Sequence, residues 1–361
     1  MHATQQLHEA GQSLWLDNIT RDLLTGGTLE RYVDELSITG LTSNPTIFDH
    51  AIENTDAYDQ DIRIGASMGK AAEELFFELA LDDLTQAADL FAPVHERTDG
   101  VDGWVSLEVS PRLAYDPGTT IAEAARLHGL AGRANLFIKI PGTAAGLPAI
   151  EESIFGGVPV NVTLLFSPEH YAAAAEAYLR GVERRVQADL DPAVGSVASV
   201  FISRWDKAVL DDAPAELRNR LGIAVAKRTY RAYRELLDSD RWQRLANLGA
   251  RPQRLLWAST GTKDPDASDV LYVTSLVAPF TVNTMPEQTL HAFAAHGEVG
   301  DPLPPDGGDA DEVLAAFGAA GIEVDALAAT LQRDGAEAFD ASWDDLLACI
   351  TTKTDALAAA G

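Results

Sequence analysis

A lysine stands in the run NLFIKI, residues 135 to 140, where all the other residues except the opening asparagine are apolar. Runs of this kind form strands buried on both faces of a parallel sheet, and a charge there needs a partner or a task. Alternation puts Leu136, Ile138 and Ile140 on one face and Asn135, Phe137 and Lys139 on the other. The strand alone leaves two readings open. The ammonium pairs with a carboxylate or reaches along its stem to water at the sheet's rim, or it is a desolvated amine that attacks a carbonyl.

Amine attack on a carbonyl needs further groups. Water must leave the carbinolamine, and a base must accept a hydroxyl proton when a carbon–carbon bond breaks. Asp17 in WLDNI and Glu108 in SLEVSP supply two proton carriers in apolar contexts, and Asn161 and Thr163 in VNVTLLFS can orient a hydroxyl or a water without titrating. Singly, such carboxylates more often cap helices or sit in loops. FISRWDK carries Ser203 and Arg204, and WASTGTKDP carries Ser259, Thr260, Gly261 and Lys263. Together these could bind a phosphate, although an arginine after a strand commonly pairs with a carboxylate and Ser-Thr-Gly is ordinary turn chemistry. The eight histidines show no helical pairing with a carboxylate, so no metal site is expected.

The elements that must position these residues follow a βαβ rhythm. Apolar, β-branched runs occur at 13–19, 37–44, 103–109, 135–140, 159–166, 196–203, 254–260 and 271–278. Eight parallel strands close a barrel with a filled interior, and barrel sites lie at the C-terminal strand ends. The expectation is therefore an α/β fold, a (β/α)₈ TIM barrel with extra helices forming a single domain over 1–361, with Lys139 pointing inward. Helical stretches at 70–91, 168–186 and 224–237 would form the outer ring, the second opened by the N-cap of SPEH. A Gly-, Pro- and Asp-rich acidic loop is expected near 297–312, then a helical extension over 313–361.

Composition bounds the rest. With 46% hydrophobic and 23% charged residues the chain can bury a large core. A formal net charge of −28 opposes binding to nucleic acid or anionic membranes, and it requires any phosphate site to gather local cations. A single cysteine, Cys349, fits a reducing cytoplasm, and no targeting segment or membrane span is expected.

The runs LTSNPTIF, NLFIKIPGT, NVTLLFS, WASTGTKDP and VNTMPEQTL, in that order between about residues 13 and 297, resemble the transaldolase family, in its longer bacterial and plant-type branch. The resemblance implies a circularly permuted class I aldolase barrel with the Schiff-base lysine on the fourth strand. It makes Lys139 that lysine, Asp17 the acid/base at the substrate's C4 hydroxyl, and Glu108 with Thr163 the holders of the catalytic water. Asn44 and Asn161 would hold the dihydroxyacetone hydroxyls, with Ser203 on the same fragment. Arg204 and Ser259 would bind phosphate, with Lys263 as a helper.

The implied reaction moves a dihydroxyacetone unit from sedoheptulose 7-phosphate to glyceraldehyde 3-phosphate, giving erythrose 4-phosphate and fructose 6-phosphate. That is a step of the non-oxidative pentose phosphate pathway, with no cofactor and no metal, carried by a monomer or homodimer. The alternatives are aldolase-like cleavage of fructose 6-phosphate and a non-catalytic barrel. Attack requires the neutral amine, so desolvation of Lys139, helped by Arg204, is expected to outweigh the nearby carboxylates. The final helix is expected to help keep water from the enamine.

Overall fold

The computed structural model describes residues 2–359. Eight parallel strands close into a barrel in sequence order: β1 (Ser13–Asp17), β2 (Ile38–Thr42), β3 (Trp104–Glu108), β4 (Leu136–Pro141), β5 (Val160–Leu165), β6 (Ser196–Phe201), β7 (Gln253–Ala258) and β8 (Val282–Met285). Lys139 lies on β4, the fourth strand.

Alternation sorts β4 as its sequence implied. Leu136, Ile138 and Ile140 are fully buried beneath the outer helices, and each contributes about 1.5–3 kcal/mol by leaving water. Phe137 turns the other way and stacks on Trp104, with ring centroids 4.0 Å apart, and also lies beside Trp15. Gly40 makes room for Trp15, since a Cβ there would come within 2.8 Å of the indole. Beneath these rings Asp102 accepts from Trp15 Nε1 at 2.8 Å and from Ser13, and Arg254 donates to Ser13 and to the Val101 carbonyl. The floor is thus packed and hydrogen-bonded, which leaves the C-terminal strand ends as the open end of the barrel.

Helices Ala72–Arg97, Pro168–Gln187 and Leu221–Asp238 cover the outside. Ser167 caps the second by accepting from the His170 N–H at 3.2 Å, with Pro168 in the first turn. Residues 297–309 form no regular element, and helices Ala310–Ala319 and Val324–Ala359 follow. Among the described residues no single helix is long and apolar enough to cross a membrane.

One strand is not where its apolar run suggested. Leu271–Ser275 is a short helix, and the eighth strand is VNTM, pairing Val282 with Leu256 on β7 and Thr284 with Trp15 on β1. A short buried apolar run does not distinguish strand from helix by periodicity. LYVTSLVA is buried here by covering the barrel, while the four-residue strand that closes it carries polar Asn283 and Thr284.

Candidate active site

Register brings the polar strand ends level with one another. Glu108 is opposite Lys139 and Lys139 is opposite Asn161, so β3, β4 and β5 carry them side by side, while Asp17 ends β1 opposite Thr42. Lys139 donates to the Ser43 carbonyl at 2.9 Å and forms an ion pair with Glu108. The two side chains are 8% and 12% exposed, which leaves the pair nearly dry. Thr42 Oγ1 lies 2.8 Å from Asp17 Oδ1 and 2.8 Å from Thr284 Oγ1.

Burial pushes the carboxyls of Asp17 and Glu108 above the ordinary range, and the Lys139 charge opposes this without cancelling it. Each can hold a proton nearer neutrality than a surface carboxylate can.

A cavity of about 330 Å³ opens above this ring. Asp17, Asn44, Lys139, Thr163, Arg204, Ser259 and Lys263 all line it. Thr163 Oγ1 is buried without a protein partner, so its hydroxyl is uncommitted. Asn44 caps the helix Pro45–Asn54, accepting from the Ile47 N–H at 3.1 Å, and that bond engages only its carbonyl oxygen. Among the described residues Arg204 pairs with no carboxylate; its guanidinium lies over the Phe201 ring, 5.1 Å from the centroid, and burial pulls it below its ordinary pKa. Lys263 lines the same cavity, so two cations other than the paired Lys139 stand there.

Two residues sit differently from the sequence expectation. Ser203 is fully buried and does not face the cavity; its hydroxyl is 2.9 Å from that of Ser259. Strand alternation would point it inward, but β6 ends at Phe201 and a helix begins at Ser203, which turns the side chain aside. Ser199, two residues before Phe201, faces the cavity instead. Asn161 is covered, its amide committed to Ser106 and Ser199 at 3.1 and 2.7 Å, so it meets the cavity through Ser199.

Thr42, Ser199 and Phe201 were legible in principle, since they fall in phase with inward neighbours on β2 and β6. Thr284 was hidden by the misplaced eighth strand. His50, Ala338, Phe339 and Ser342 also line the cavity, the last three from the C-terminal helix Val324–Ala359, and no local pattern announces them. Thr46 donates to Ser342 at 3.0 Å, tying that helix to the start of Pro45–Asn54.

A buried amine in contact with one carboxyl, under a cavity lined by a second carboxyl and by Arg204 and Lys263, suits imine chemistry on an anionic carbonyl compound. Comparison with known proteins agrees. The family model for transaldolase/fructose-6-phosphate aldolase matches residues 14–350. A protein named transaldolase from Thermobifida fusca is 47% identical over 353 residues, covering 95% of this chain and 96% of that one. Those of Acidothermus cellulolyticus and Mycobacterium tuberculosis are each 46% identical, over 354 and 351 residues, covering 96% and 94% of this chain and 95% and 94% of their own lengths. The agreement runs the length of the barrel and into the C-terminal helix, and the chain belongs to the transaldolase/fructose-6-phosphate aldolase family.

Proposed function

We infer that Lys139 forms the Schiff base of a transaldolase reaction, with the barrel and its C-terminal helices acting as one catalytic domain in the cytoplasm. The observation that carries this reading is the contact of its buried amine with Glu108 beneath a cavity that Asp17 also lines. Glu108, held toward protonation by burial, takes the proton that the ammonium must lose, so the pair becomes two neutral groups in a dry site.

The free amine then attacks the ketose C2 carbonyl. Glu108 returns the proton as the carbinolamine oxygen leaves as water, and the uncommitted Thr163 hydroxyl holds that water. Asp17 accepts the proton of the C4 hydroxyl while the C3–C4 bond breaks, its electron pair passing to the iminium nitrogen. An aldose departs, and a three-carbon enamine stays on Lys139 until an acceptor aldehyde reverses the steps. Asn44 and Ser199, the latter braced by Asn161, suit the hydroxyls of that fragment.

Sugar phosphates fit as substrates: Arg204, with no carboxylate partner among the described residues, Ser259 and Lys263 line the same cavity and can hold the phosphate. The donors and acceptors proposed are sedoheptulose 7-phosphate and fructose 6-phosphate with glyceraldehyde 3-phosphate and erythrose 4-phosphate. Borohydride added with fructose 6-phosphate should reduce the imine to a stable adduct on Lys139. An intact mass unchanged by that treatment would sink the covalent mechanism. With donor alone the enzyme should stall at the enamine; rapid release of dihydroxyacetone would favour simple aldolase cleavage.

A further inference from the structure

Gly335 lies in the middle of the helix Val324–Ala359, a position where glycine is disfavoured against alanine. It is buried, and a Cβ there would come 3.3 Å from a terminal nitrogen of Arg204, 3.0 Å from Leu164 Cδ2 and 3.6 Å from the Phe166 ring. The Arg204 guanidinium thus has the Phe201 ring within reach on one side and this glycine on another.

The helix is held against this contact. One turn earlier Gln332 donates to the carbonyls of Leu164 and Gly142 at 3.0 and 3.3 Å, which ties the helix to the ends of β5 and β4. Leu164 is itself constrained, with φ at +61° where β5 slips register against β6. Ala328, Leu331 and Ala336 are buried on either side of the anchor. Relief must then come from the side chains the Cβ would meet, the Leu164 methyl and the Arg204 guanidinium, each giving by a few tenths of an ångström.

We propose that Gly335 is a positioning residue for phosphate recognition: its missing side chain lets the Arg204 guanidinium sit where a sugar phosphate meets it. The proposal rests on the reading of Arg204 as a phosphate ligand. A helix outside the barrel thereby sets discrimination between a phosphorylated ketose and its unphosphorylated form, by shape and without touching the reacting atoms.

The test compares fructose 6-phosphate with fructose as donor, with unphosphorylated glyceraldehyde as acceptor. Gly335→Ala should lower kcat/KM for fructose 6-phosphate about tenfold through KM, the loss of part of one charged contact. It should leave kcat and the kcat/KM for fructose within about twofold, and weaken competitive inhibition by inorganic phosphate to the same extent as the KM change. Equal losses on both donors, or none on either, would overturn the proposal.

Arg204→Met separates the two claims. If it leaves the preference for fructose 6-phosphate intact, the phosphate reading and the proposal fall together; if it removes the preference and Gly335→Ala does not, only the proposal falls. In the double variant the alanine should add no further loss. Failure to fold, with or without Arg204→Met, would put the glycine's role at Leu164 and overturn the proposal as well.

Discussion

Replacing Lys139 by Met removes the charge and keeps much of the stem's volume, which makes it a probe of the site's electrostatics as well as its chemistry. In the native protein the ammonium opposes the burial that raises the carboxyls of Glu108 and Asp17. Without it both pKa values move further up in the folded state. A group that binds its proton more tightly folded than unfolded gives stability that is full below its unfolded value, near 4.5 for Glu108. That stability is lost as pH rises toward the folded value.

The stability difference between native protein and Lys139→Met should therefore widen as pH rises through the interval between the native and the variant folded values, which lies above the unfolded 4.5 of Glu108. Each group contributes about 1.4 kcal/mol per pH unit while it alone titrates between the two states. At the upper end the gap should approach the roughly 3–5 kcal/mol typical of breaking a buried pair from one side. Urea midpoints at pH 5, 6, 7 and 8 measure it. Adding Glu108→Gln should flatten the slope to the share left by Asp17. A gap independent of pH would refute the account of Glu108 as a buried proton carrier.

Asp17→Asn should still form the borohydride-trapped adduct, because the proposed imine formation uses Glu108 and Lys139. Its turnover should fall about 10²- to 10⁴-fold at carbon–carbon cleavage, and loss of the adduct itself would place Asp17 at an earlier step. Phe339→Ala opens the cavity wall contributed by the C-terminal helix. Donor-only release of dihydroxyacetone should rise several-fold relative to transfer as water reaches the enamine, and an unchanged ratio would show that Phe339 does not exclude water.

Much of the site was legible because strand alternation is local. Lys139 could be placed inward from its own hexapeptide within a barrel, and Asp17, Glu108, Asn161 and Thr163 could be placed at the ends of their strands. The misplaced eighth strand shows where that logic stops. LYVTSLVA is the more apolar segment, yet closure fell to VNTM, whose place is decided by pairing with both β7 and β1. Ser203 marks a second boundary. It keeps the phase of the strand, but the chain has already turned into a helix, and Ser199 takes the inward position.

By itself, then, the sequence determined that a barrel would form and, for strands such as β4, which residues share a face, since a period of two is set by the backbone and read from neighbours. Only the tertiary structure decided which ends stand level, that Glu108 touches Lys139, and that Arg204 has no carboxylate beside it among the described residues. It alone brought Phe339 and Ser342 over the cavity, where Ser342 accepts from Thr46, 296 residues earlier in the chain. Contacts across that separation depend on how whole helices pack on the closed barrel, and no window along the chain encodes them.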